Sequence, residues 1–231
     1  MNTAYPARLA AALLLALLGP TAHAANVDQN AIVASQTDGS EWLSHGRTYE
    51  EQRYSPLQQI NAANVANLGL AWSIDLENNR GLEATPLYHD GVLYASLSWS
   101  RAIAVDVASG KVLWTFDPQL ARDKARDACC DAVNRGVALW NGKVFIGTLD
   151  GRLIALDART GQPLWSQQTT DNSKPYTITG APRVVKGKVI IGNGGAEYGV
   201  RGYFSAYDAE TGKMAWRFYT CLLYTSDAAD D

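Results

Sequence analysis

No cluster of lysine or arginine stands out in the 231 residues, and 20 basic side chains against 23 acidic ones leave a formal charge of −3. That argues against a nucleic-acid partner, which needs a basic stripe. Metal-ligating side chains are scarce. The three cysteines are too few, and the three histidines (His23, His45, His89) too far apart, to read as a zinc site. Residues 9–18 (LAAALLLALL) form a strongly apolar run, but it is too short to span a bilayer. A phosphate-binding loop is also missing. Gly194-Gly195-Ala196-Glu197 is glycine-rich, but no helix pattern follows it.

The apolar run gains a meaning from its position. Arg8 precedes it as the only charge, and Ala22-His23-Ala24 supplies a small-x-small cleavage site. Residues 1–24 therefore read as a cleaved signal peptide, with a mature start near Ala25 and no transmembrane anchor. Export to the periplasm places the chain where disulfides persist. The other end breaks pattern. Residues 221–231 (CLLYTSDAADD) fit nothing before them and resemble translated sequencing adapter. They read as a non-native tail rather than a genuine C-terminus, which leaves residues 25–220 as the native part.

Within that part, A-x-D-x-x-[ST]-G-x-x-x-W occurs at residues 104–114, 155–165 and 206–216. Asp106, Asp157 and Asp208 stand 51 residues apart. Such a period, carried by short alternating strands, predicts a propeller or solenoid array. In each copy the Asp caps backbone N–H groups and the Gly supplies the positive φ of a tight turn. Upstream lie further turns, Asp90-Gly91, Asn141-Gly142 and Lys186-Gly187, each between β-rich runs. Four strands per repeat make a propeller blade, with the repeat Trp packed between neighbouring blades. The fold class is therefore all-β, and residues 25–220 hold about 3.8 repeats of blade size.

Two interruptions break the period. Six extra residues fall between the second and third strands of the third blade, in residues 193–202, and six more precede the second blade, in residues 117–136. Alternating strand direction puts both on one face of a propeller. Loops on a rigid scaffold carry function, so that face is the candidate site. Trp99 lies in a loop of the same face. Adjacent Cys129 and Cys130 sit in one interruption. They are either reduced or separately paired, or bonded to each other in a strained ring; with Cys221 set aside no other partner remains, which favours the bond. Glu197, in the other interruption, has a carboxylate suited to a hard cation such as Ca²⁺.

Cys129-Cys130, Val133-Asn134-Arg135-Gly136, the loop at 194–202 (GGAEYGVRG), the tryptophan repeat and the opening stretch 42–72 together resemble the pyrroloquinoline-quinone (PQQ)-dependent alcohol dehydrogenases of the methanol/ethanol type. The resemblance covers residues 40–219. It implies an eight-bladed propeller with the quinone near its axis, and oxidation of a primary or small alcohol to the aldehyde. By motif, Glu83 and Thr179 would hydrogen-bond the quinone, and the Cys129–Cys130 disulfide would lie against its face. Arg135 would pair with a quinone carboxylate, Gly195 and Ala196 would offer backbone contacts, and Glu197 would ligate calcium. Electrons would pass to a c-type cytochrome or another periplasmic acceptor. Calcium versus a lanthanide stays open, as does a C-terminal haem c domain. The aspartate base should lie beyond residue 220, so this stretch alone is expected to be inactive. Independently, Glu83, Arg135 and Thr179 stand 8, 7 and 8 residues before their turn glycines, at equivalent points of the repeat. The repeat alone also fits a cofactor-free propeller scaffold of the outer-membrane assembly type; the paired cysteines and the Glu197 loop favour the dehydrogenase.

Overall fold

A computed structural model describes residues 26–76, 78 and 80–220. The expected signal peptide (1–24) and tail (221–231) lie outside these residues. Three four-stranded antiparallel sheets follow one another along the chain, each a meander in sequence order. The first holds β1 (Leu87–His89), β2 (Val92–Leu97), β3 (Arg101–Asp106) and β4 (Val112–Phe116). The second holds β5 (Ala138–Trp140), β6 (Lys143–Gly147), β7 (Arg152–Asp157) and β8 (Pro163–Gln168). The third holds β9 (Arg183–Val185), β10 (Lys188–Gly192), β11 (Tyr203–Asp208) and β12 (Met214–Tyr219). These are the propeller blades the period predicts.

Local chemistry sets each blade. The turn between its first two strands takes two residues at positive φ: 46° and 77° at Asp90-Gly91, 45° and 72° at Asn141-Gly142, 49° and 68° at Lys186-Gly187. That is the primed hairpin geometry, whose twist matches the strands. The next hairpin turn is held by the repeat Asp. Its Oδ1 accepts the N–H of Ser109, Thr160 or Thr211 (2.8, 2.8 and 3.1 Å). Each turn glycine's carbonyl then accepts the N–H of the residue after that Asp, at 2.9 Å in all three blades. The two hairpins of a blade are thereby locked at one end.

The repeat tryptophans join blades. Trp114 leaves β4 and lies over Gly161 of the second blade, donating from Nε1 to Ala158 O at 2.9 Å. Trp165 does the same over Gly212, with Ala209 O at 3.3 Å. A Cβ on Gly161 would stand 2.6 Å from the Trp114 ring, so the seat requires glycine. Gly161 also takes φ 71°, where an L side chain costs about 1–2 kcal/mol. Trp216, at the outer edge of the third blade, is 43% exposed, whereas Trp114 is 8% exposed. β6 and β7, between two blades, are buried on both faces apart from their ends.

Among the described residues three blades form, the lower of the three to four that the chain length allows. The reason lies in residues 26–76, which build no complete blade. Residues 26–53, including α1 (Gln29–Ala34), make a strap across the first hairpins of all three blades. Val27 O accepts Asn141 N (2.8 Å), Glu41 Oε2 meets His89 Nδ1 (3.0 Å), and Gln29 Oε1 accepts Lys186 N (3.2 Å). Residues 71–76 run extended, with Trp72 over Gly110 and donating to Val107 O at 2.9 Å. Trp72 thus takes the seat that a preceding blade's tryptophan would take, and the sequence spacing had hidden it: it precedes Trp114 by 42 residues, not 51.

Two outcomes are expected. Trp114→Ala should cost about 3–5 kcal/mol in chemical denaturation, and Gly161→Ala at least the left-handed penalty of about 1–2 kcal/mol. Within the strap, burial and the Arg183 and Arg53 guanidinium groups hold the His45 imidazole below its ordinary 6.5, against an opposing pull from Glu51. The unfolded chain therefore binds this proton first as pH falls, and stability drops below pH 6.5 until the folded imidazole also protonates. His45→Gln should flatten the fall in melting temperature as pH drops below 6.5.

Candidate active site

Both interruptions of the repeat meet where the inner strands begin. The entrances of the three blades are laced by backbone: Thr85 N donates to Arg135 O (3.2 Å), and Arg135 N donates to Thr179 O (2.9 Å). Thr85 and Gly136 form a parallel bridge. Successive inner strands therefore start side by side, and their entrance side chains converge. Arg135 Nη2 pairs with Glu83 Oε2 at 2.9 Å, and Arg135 Nη1 donates to Thr179 Oγ1 at 2.6 Å. The three positions equivalent in the repeat thus form one polar cluster. Glu83 and Arg135 remain about 40% exposed, so the pair still faces solvent and a ligand can reach it.

Cys129 and Cys130 are bonded to each other, with their Cα atoms 3.8 Å apart. The bond sits beside the Arg135 cluster. A cleft of about 60 Å³ is lined by Cys129, Cys130, Asp131, Arg135, Thr179 and Glu197, together with Thr177 and Gly194. Ligand sites that enclose a small molecule run to roughly 300–1,000 Å³. The cleft by itself is smaller than such a site. A larger apolar hollow of about 280 Å³ lies on the open face of the first blade, among Trp72, Leu82, Leu93 and Ile103. Its lining is almost wholly apolar, whereas the smaller cleft gathers Arg135, Thr177, Thr179, Asp131 and Glu197.

Arg135 is held by its neighbours. Asn134 donates from Nδ2 to Gly147 O (2.8 Å), and its Oδ1 accepts Gly136 N (3.2 Å), pinning the corner on both sides. The Glu197 loop is docked through Thr177 and Gly194, which exchange backbone hydrogen bonds of 3.3 and 2.7 Å. Gly195 and Ala196 do not line the cleft. Gly195 is buried at φ 105° and packs against Val200, while Ala196 opens an exposed helical turn, Ala196–Tyr198. Glu197 is exposed and lines the cleft. Among the described residues no group of three or more His, Cys, Asp or Glu side chains could hold a metal ion. No helix among them is long and apolar enough to cross a membrane.

A family model described as the PQQ glucose/ethanol/alcohol dehydrogenase β-propeller domain matches residues 42–230. The chain belongs to that family. The quinohemoprotein alcohol dehydrogenase ADH IIB of Pseudomonas putida is 73% identical over 209 residues, which are 90% of this chain and 30% of the relative. The 1-butanol dehydrogenase (cytochrome c) of Thauera butanivorans is 61% identical over 74% of this chain and 25% of its own. The solved quinohemoprotein alcohol dehydrogenase ADHIIG of Pseudomonas putida HK5 superposes with a TM-score of 0.83 at 60% identity, covering 85% of this chain and 29% of its own. The chain thus spans about 30% of the length of these relatives.

The sequence reading missed Asp131, Thr177 and Arg80 at the site. Thr177 was within reach, since Thr177 and Thr179 alternate onto one face of an extended segment. Asp131 and Arg80 meet only across a fold, as an ion pair 51 residues apart in sequence. The disulfide has a direct check. A thiol-alkylating reagent should label neither Cys129 nor Cys130 in the folded, unreduced protein and both after reduction, as read by peptide mass.

Proposed function

We propose that this chain is part of a PQQ-dependent alcohol dehydrogenase and supplies one wall of its cofactor site. The observation that carries the reading is the convergence of Glu83, Arg135 and Thr179, three repeat-equivalent entrances, beside a disulfide between neighbouring cysteines. Family membership supports it. The donor set also fits the group: an acidic heteroaromatic needs a fixed cation, hydrogen-bond donors and a flat surface. Arg135 offers a planar guanidinium with donors to spare for a carboxylate. Thr179 offers a hydroxyl, Glu83 an acceptor, and the Cys129–Cys130 ring a flat apolar wall without a titrating thiol. When bound, the quinone supplies the two-electron acceptor for oxidation of a primary or small alcohol.

The residues' own work is binding and orientation. Arg135, already stretched between Glu83 and Thr179, is pre-set in direction, so little side-chain entropy remains to be lost on binding. Glu197 would supply one oxygen to a calcium ion, which takes six to eight, so the other ligands would come from elsewhere in the protein. Backbone contacts from Gly195 and Ala196 would require that loop to move toward the cleft. Export to the periplasm and electron transfer to a c-type cytochrome complete the proposal.

In the full-length protein, quinone binding followed by fluorescence quenching tests the reading. Arg135→Ala should weaken binding about ten- to a hundredfold, the worth of a hydrogen bond to a charged group. The Cys129→Ala/Cys130→Ala double variant should lower alcohol-dependent dye reduction with PQQ and Ca²⁺ present. Unchanged quinone affinity in Arg135→Ala would remove the assignment.

A further inference from the structure

The loop between the second and third strands bends through the left-handed region in every blade, at Gly195 and Gly199 in the third (φ 105° and 77°). In the second blade glycine does this, at Gly151 with φ 83°. In the first blade Trp99 (φ 64°) and Ser100 (φ 54°) do it in succession. A bulky residue in that region is an outlier, and costs of about 1–3 kcal/mol persist only where the surroundings over-determine the conformation. Here they do. Trp99 N donates to Ala132 O at 2.8 Å, and Ser100 Oγ accepts Leu149 N at 3.0 Å. The Trp99 ring carries the Arg122 guanidinium 4.3 Å from its centroid and the Arg80 guanidinium at 5.7 Å, both within cation–π range. Arg80 also pairs with Asp131, itself at φ 75° and next to Cys130.

Three segments are laced at this point: residues 80–83 leading to Glu83, the Trp99 loop, and the disulfide loop. Residues 81–83 are exposed. Besides the Glu83–Arg135 pair, the ties among the described residues include the Arg80 contacts and the 3.2 Å bond from Ser98 Oγ to Gly81 O. An isolated exposed ion pair would be worth little; this one is backed by an indole whose own backbone is held in place at a cost.

We propose that Trp99, clamped by Arg80 and Arg122, is a positioning residue that latches the Glu83 segment to the disulfide loop and so sets the gap in which the cofactor's edge and face are gripped. The proposal rests on the cofactor reading above. The discriminating variant is Trp99→Gly in the full-length protein. Glycine is at ease at φ 64°, so a packing role and a latching role separate: the melting temperature should hold or rise while the quinone dissociation constant increases about tenfold, the loss typical when an orienting neighbour is removed. Trp99→Phe, which keeps a ring for the guanidinium groups, should restore most of the affinity. Arg80→Gln, at the surface, should weaken binding about two- to fivefold with no change in melting. Quinone affinity unchanged in both Trp99→Gly and Arg80→Gln overturns the latch while leaving the cofactor reading intact. A lowered melting temperature in Trp99→Gly with unchanged affinity in Arg80→Gln assigns Trp99 to packing and overturns it too. Wild-type protein that fails to bind quinone overturns the cofactor reading itself.

Discussion

The seating of an indole on a bare α-carbon organises this structure. Each seat needs a glycine at positive φ, because that residue must both turn the chain and leave room for the ring. It also needs an indole N–H aimed at the carbonyl three residues before that glycine. Trp72, Trp114 and Trp165 meet both conditions at Gly110, Gly161 and Gly212. A ring burying about 200 Å² at about 25 cal/mol per Å² is worth roughly 5 kcal/mol per junction. That attraction is otherwise unspecific. The hydrogen bond and the steric seat convert it into a fixed blade-to-blade orientation.

From that orientation the site follows. Blades set at a constant angle bring their inner strands together, and the backbone bonds from Thr85 to Arg135 and from Arg135 to Thr179 join their entrances. Residues about fifty positions apart thereby become neighbours. The strap of residues 26–53 acts at the opposite end of the inner strands, tying the three first hairpins through Val27, Gln29 and Glu41. The site is consequently built on scaffold held at both ends, with irregular loops confined to one face.

Part of the backbone strain lies in those loops. Trp99, Ser100 and Asp131 are non-glycine residues at positive φ, clustered beside the disulfide. The first hairpin turns pair glycine with Asp90, Asn141 or Lys186 at positive φ, whereas at this face an indole, Trp99, takes that conformation. A bulky aromatic held in the left-handed region marks where side-chain identity outweighs backbone ease.

The sequence by itself determined the blades, because a turn is a local event: Asp-x-x-[Ser/Thr]-Gly and the paired turn residues fix their own dihedrals within five residues. It also placed Glu83, Arg135 and Thr179 at equivalent points, since equivalence is only counting. The adjacent cysteines were legible for the same reason. Tertiary structure alone decided that Trp72 acts as a docking tryptophan, that residues 26–53 form a strap instead of a blade, and that Arg80 reaches Asp131 across Trp99. These outcomes depend on which surfaces meet once blades are stacked. The distances involved are set by the tilt between sheets, and no spacing along the chain encodes that tilt.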